Sequence, residues 1–220
     1  MRRDILSILV LACAVSPAVG VAQAPRNSVV ISDEDIKAVL KYAADTKRTI
    51  PDNTLRVIDM GNYQLGVAVI HRGVFPSPGG GGAAAQAGRG DPGRGQTAPQ
   101  RDCGEQRPGA TGPTGIYHDD TAETYVVISG TATLITGGTI VNGRRSAADS
   151  EVTTILNGPS CNGTMVGYTS REITVGDIIV IPEGVPHGFS AVPDHVTYLS
   201  VRPDLKKVLQ QGYVNPALKK

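Results

Sequence analysis

The sequence predicts an all-β protein built as a barrel or sandwich. Three observations predict it. Short runs rich in Val, Ile and Thr recur from residue 55 onwards, turns containing Gly separate them, and helical patterning is confined to a short segment near each end.

The chain opens with Arg2 and Arg3, an apolar run over residues 5–15, a breaking Ser16-Pro17 and then Ala22-Gln23-Ala24. This order of basic, apolar and small residues reads as a secretory signal peptide over residues 1–24, which places the mature chain in the periplasm or outside the cell. A lipoprotein reading centred on Cys13 competes, but Leu11 suits it poorly. The apolar run is shorter than the roughly 20 residues a membrane span needs, and no later run approaches that length. Residues 25–220 are then expected to form a single domain, long enough to bury a core.

Taking Arg2, Arg3 and Asp4 from the 21 basic and 20 acidic residues leaves the mature chain neutral. That balance, with no Trp and only two Phe, argues against nucleic acid as a partner. A small-molecule ligand is expected instead, and a homodimer is compatible with everything read here. With the leader removed, Cys103 and Cys161 remain. In an oxidising compartment a disulfide is the default expectation, the alternative being two unpaired thiols in mobile loops.

Ser32-Asp33-Glu34-Asp35 starts a short amphipathic helix. Ser32 can cap free N–H groups, the acids suit the positive helix end, and Ile36, Val39, Leu40 and Ala43 recur at helical spacing. Leu65, Val67, Val69 and His71 alternate with Gly66, Ala68 and Ile70, as in a strand with one face inward. Residues 123–135 are broken by Ser129-Gly130, which suggests two strands around a turn. Further strands are expected at 139–141, 151–156, 164–168, 178–181 and 196–201, and a last helix at 203–211. Residues 76–114 stand apart: nearly half are Gly or Pro, including Gly79–Gly82 and two Gly-Arg-Gly repeats. Such a composition buries too little apolar area to offset chain entropy, so a mobile insertion is expected.

Two clusters carry chemistry. The first runs from Gly115-Ile116-Tyr117-His118 through Asp119 and Asp120 to Glu123, and on to Ser129-Gly130. The second runs from Gly176-Asp177 through Ile178-Ile179-Val180-Ile181 to Pro182-Glu183-Gly184-Val185-Pro186-His187. Together they resemble the two motifs of the cupin superfamily, whose first motif has two His one residue apart, a Glu about five positions on and a Gly further along. Its second motif is Gly-Asp, an apolar strand, Pro-x-Gly and a His. The resemblance covers residues 115–191 and implies a double-stranded β-helix, a jelly-roll barrel, with a metal held in its mouth by His118, Glu123 and His187. Where the family has its first His, this chain has Ile116, which cannot ligate. Two imidazoles and one carboxylate remain, a set that suits Fe, Mn, Zn, Ni or Cu without choosing among them.

Other side chains have plainer readings. His71 reads as a strand-end residue, although on the inward parity it could replace the missing ligand. Asp119 and Asp120 read as turn formers, Tyr117 and Tyr125 as packing residues or cavity lining, and His195 as a surface residue. Two functions follow. One is a metal-dependent oxygenase, isomerase or lyase acting on a small polar substrate; the other is a non-catalytic ligand-binding barrel whose metal site has degenerated.

Overall fold

The computed structural model describes residues 27–75 and 100–219. The leader expected at 1–24 and most of the insertion expected at 76–114 lie outside the described residues. The end of that insertion is described and is tied down: Cys103 bonds covalently to Cys161, and Asp102 and Cys103 pair with Arg144 and Gly143.

One helix, α1 (Asp33–Asp45), precedes the sheet. Its start is as the sequence implies, because Asp35 N–H donates to Ser32 Oγ at 3.2 Å while Ser32 N–H donates to Asp35 Oδ2 at 3.0 Å. Such a reciprocal cap stabilises a helix start by about 1 kcal/mol. Val39 is buried against Leu55 and Val69, so the helix lies on the outside of the barrel.

The strands in chain order are β1 (Asp52–Asp59), β2 (Gln64–Arg72), β3 (Asp102–Cys103), β4 (Thr114–His118), β5 (Glu123–Thr136), β6 (Thr139–Arg145), β7 (Ser160–Val166), β8 (Thr169–Thr174), β9 (Ile178–Ile181), β10 (His187–Ala191) and β11 (Val196–Asp204). All pair antiparallel. One layer runs β1-β2-β11-β5-β9 and the other β8-β5-β10-β4-β7-β6-β3, with β5 shared between them. The core lies between the layers. It joins Ala68 and Ile70 of β2, Tyr125 and Leu134 of β5, Phe189 of β10 and Tyr198 of β11.

The shared strand corrects the expected hairpin at 129–130. β5 is one continuous strand that crosses from layer to layer, its first half paired with β9 and β11 and its second with β8 and β10. Gly130 sits at the bend with φ +75°, and a Cβ there would lie 1.9 Å from the carbonyl oxygen of His195. Just before it, consecutive Thr197 and Tyr198 of β11 pair with Ser129 and Val127, leaving Ile128 as an extra residue on β5, so the bend carries a bulge rather than a turn.

Three other expectations change. Residues 151–156 form a π-helical turn, Val152–Leu156, in which the N–H groups of Asn157 and Gly158 both reach the Val152 carbonyl. Tertiary partners override the β-branched residues there, since Thr54 donates to the Ile155 carbonyl and Arg202 to that of Leu156. The helix expected at 203–211 is absent. Pro203 and Asp204 complete β11, and the Asp204 carboxylate then accepts from the N–H groups of Val208 and Leu209, closing a turn instead. Only a 3-10 turn, Pro216–Leu218, follows. In β2 the inward face is the opposite of the one first read: Ala68, Ile70 and Arg72 point into the barrel, while Val67 and Val69 pack on the side of α1.

Candidate metal centre

His118 ends β4, Glu123 begins β5 and His187 begins β10. Asp119 and Asp120 form a bend, as their reading as turn formers implies, but the strands they join, β4 and β5, are not partners. β10 lies between them, and His187 pairs with Ile116 on one side and Thr136 on the other. The loop before β10 is fastened to the first motif, because Gly184 N–H donates to the His118 carbonyl at 2.8 Å. Gly115 lets the strands close. A Cβ there would meet Met165 Sδ at 2.1 Å and the His187 carbonyl oxygen at 2.8 Å.

The structure brings His118, Glu123 and His187 together in the interior, their ligand atoms within 4.8 Å of one another. Both Nε2 atoms face one carboxylate oxygen, Glu123 Oε2, from 3.2 Å for His118 and 3.0 Å for His187. The other ring nitrogens fix the tautomers. His187 Nδ1 lies 2.9 Å from the Val185 carbonyl, which only accepts, so Nδ1 carries the proton. His118 Nδ1 lies 2.8 Å from Ser160 Oγ, whose own hydrogen is committed to the Gly158 carbonyl, so this Nδ1 also donates. With neutral rings, two Nε2 lone pairs and a carboxylate oxygen therefore converge, an arrangement that a cation between them would relieve. Ligand atoms around an ion with bonds of about 2.1 Å stand about 3.0–3.4 Å apart in octahedral or tetrahedral geometry, which matches these separations. The residues fit a metal ion, and the group could hold one.

The rest of the carboxylate is held by residues the motifs did not reveal. Glu123 Oε1 accepts from Arg202 Nε at 2.8 Å, Ser200 Oγ at 2.9 Å and Asn157 Nδ2 at 3.1 Å, while Tyr125 Oη donates to Oε2 at 2.9 Å. Arg202 is buried and also reaches Asp52 Oδ2 at 2.5 Å and the Leu156 carbonyl at 2.9 Å. Burial alone would raise the carboxyl of Glu123, but the Arg202 guanidinium and the His118 ring hold it well below the usual carboxylate range. Burial pushes His118 below its ordinary value against the pull of Glu123, and it drives the Tyr125 phenol well up, with the neighbouring carboxylate adding to the effect. At neutral pH the site thus holds an ionised carboxylate, a neutral His118 and a protonated Tyr125.

A cavity of about 100 Å³ adjoins the three residues, and Ile116, Phe75, Tyr198 and Arg72 are among its walls. Ile116 and His118 share this face while Tyr117 packs against the disulfide cluster, as the strand parity predicts. Asp119 pairs with Arg145 and Asp120 with Lys206, so both acids are engaged away from the centre. His71 and His195 lie on the outer face, where their hydroxyl partners are Thr197 and Ser129. His71 does not replace the missing ligand. Sequence reasoning missed Arg202, Ser200 and Asn157. A signal existed for the first two, since Tyr198, Ser200 and Arg202 share the parity of the buried Val196.

Among the described residues no helix is long and apolar enough to cross a membrane. No family model matches the sequence, and no curated protein matches it. Several solved structures are similar in fold. One is an uncharacterized conserved protein with a double-stranded β-helix domain from Klebsiella pneumoniae, at 16% identity over 70% of this chain and 79% of that one, TM-score 0.30. Another is the cupin domain of CENP-C from Drosophila melanogaster, at 7% identity over 80% and 99%, TM-score 0.30. A third is the EutQ protein of Clostridium difficile, at 14% identity over 70% and 62%, TM-score 0.29. Likenesses this distant say nothing of activity. The chain's own strand order describes a double-stranded β-helix, with a buried His-Glu-His group that could hold a metal ion.

Proposed function

We propose that this barrel handles a small polar substrate at a divalent transition ion held by His118, Glu123 and His187. The observation that carries the reading is the convergence of two imidazole lone pairs on Glu123 Oε2, each ring held in that tautomer by a partner on its Nδ1. When bound, the ion would supply a Lewis-acid centre with positions left over for substrate, the chemistry shared by metal-dependent oxygenases, isomerases and lyases. The chain's own residues do the rest. Arg202, Ser200 and Asn157 fix the carboxylate so that Oε2 faces the imidazoles. Tyr125 keeps its proton on Oη and donates it to Oε2, which makes it a hydrogen-bond donor rather than a base. Ile116 and Phe75 line the cavity with apolar surface that limits water beside the centre. The single domain over residues 25–220 and export behind a leader at 1–24 belong to the same proposal, with the disulfide as the support for an oxidising compartment.

One observation favours the second reading, a non-catalytic ligand-binding barrel. Arg202 is shared between Glu123 and Asp52, and with Arg72 on the same cavity wall the two guanidiniums balance the two carboxylates, so charge balance does not demand an ion. Elemental analysis of untagged protein, purified without added metal and then dialysed against each candidate ion, separates the two. About one transition ion per chain supports the metal centre, and none under either condition rejects it.

A further inference from the structure

Four charged side chains line the cavity: Asp52, Arg72, Glu123 and Arg202. Three of them are linked, because Arg202 spans Asp52 and Glu123. Arg72 is left over. It is the last residue of β2, on the inward parity with Ala68 and Ile70, and among the described residues no carboxylate comes within salt-bridge distance of it. Its guanidinium carbon lies 5.0 Å from the centre of the Phe189 ring, and Nε donates to Tyr198 Oη at 3.4 Å, a long and weak bond. Among the described residues the terminal nitrogens have no hydrogen-bond partner, and they form a flat fork that matches a carboxylate.

We propose that Arg72 is the recognition residue for the anionic end of the ligand, and that the ligand is a short-chain monocarboxylate. Tyr198, bonded to Arg72, lies 4.4 Å ring to ring from Tyr125, whose hydroxyl reaches Glu123. A molecule anchored at Arg72 therefore extends along the two tyrosines towards the His-Glu-His group. A doubly charged phosphate would want a second cation, and Arg202 is already committed. The apolar walls at Phe75, Phe189 and Val192 suit a short carbon chain behind the carboxylate. A cavity of about 150 Å³ accommodates benzene, so one of about 100 Å³ takes a ligand on the order of four to six heavy atoms.

This deepens the proposal above by naming the substrate class. It rests on the same cavity being the working site but not on the ion. The test is titration calorimetry of metal-free protein, in a buffer without organic acids, using propionate and pyruvate with propionamide as the neutral isostere. The acids bind and the amide does not. Arg72→Gln weakens the acids about tenfold to a hundredfold, the loss expected for hydrogen bonds to a charged group, and Arg72→Lys recovers part of the affinity. Equal binding of propionate and propionamide, or no binding of either acid at millimolar concentration, overturns the inference. Because that comparison uses the unaltered protein, it holds even if a variant fails to fold. A protein that takes up metal but neither acid loses only this inference, and one that binds the acids but no metal loses only the metal centre.

Discussion

Arg202 donates from Nε to Glu123 Oε1 at 2.8 Å, with both side chains buried, so the carboxylate of the candidate metal centre is also one half of an interior ion pair. Removing one partner of such a pair leaves the other charged and dry, which costs about 3–5 kcal/mol. Arg202→Met should lower the unfolding free energy by that amount in urea titrations. Arg202→Lys should rescue little, because separate guanidinium nitrogens serve Glu123, the Leu156 carbonyl and Asp52. The double variant Glu123→Gln with Arg202→Met should cost less than the two singles summed. A strictly additive double variant would show that the pair is not coupled.

Metal content should follow the three side chains. His187→Ala and Glu123→Ala each lose a ligand and should drop below a tenth of the wild-type ion content, about tenfold or more for a broken site. Tyr125→Phe keeps all three ligands and should retain the ion. Unchanged content in both ligand variants would place the ion elsewhere.

Stability should fall with acid in two limbs. His118 has its folded pKa lowered from the ordinary 6.5, so below that pH the unfolded chain takes up a proton the buried ring refuses, and native stability declines. Glu123 is lowered from 4.5, and its stabilising contribution, present above that value, drains away as pH falls through the folded pKa. His71, lowered by its own partial burial and by His195, adds to the first limb. His118→Asn should therefore flatten the decline between pH 6.5 and 4.5 without abolishing it. An unfolding free energy independent of pH across that window would contradict the buried, neutral ring.

The disulfide joins residues 58 apart and ties β3 to β7. Closing a loop of that length restricts the unfolded chain by about 4 kcal/mol in the chain-entropy account. Replacing both Cys103 and Cys161 by Ser should cost a few kcal/mol on that scale, as should reduction of the native protein. A melting temperature indifferent to reductant would show that the bridge does not contribute.

Ile116 lines the cavity beside His118 and pairs with His187. Ile116→His should add a third imidazole, and so a fourth ligand, to the centre and raise metal affinity in chelator competition, at least about tenfold for one more good ligand. Tyr117→His should not, because that side chain packs with the disulfide cluster. Tighter binding by the 117 variant alone would reverse the register assigned to β4.

The two motifs made the centre legible, because spacing along the chain puts His118 beside the turn to Glu123 and fixes His187 at the start of a strand. The capped helix and most strands were legible for the same reason, since hydrogen-bonding side chains and apolar periodicity act within a few residues. Three things were decided only in three dimensions. The bulge at Ile128 and the bend at Gly130 turn an apparent hairpin into a strand shared by both layers, and the need for glycine there arises from the carbonyl of His195, far along the chain. The Val152–Leu156 turn overrides local β-propensity because Thr54 and Arg202 bind its carbonyls. Arg202 itself reads as an ordinary strand residue until β11 docks between β2 and β5 and aims it at Glu123. Local rules determine which segments form elements and which carry ligands, whereas the partner of a buried charge is set by packing between segments that the sequence keeps far apart.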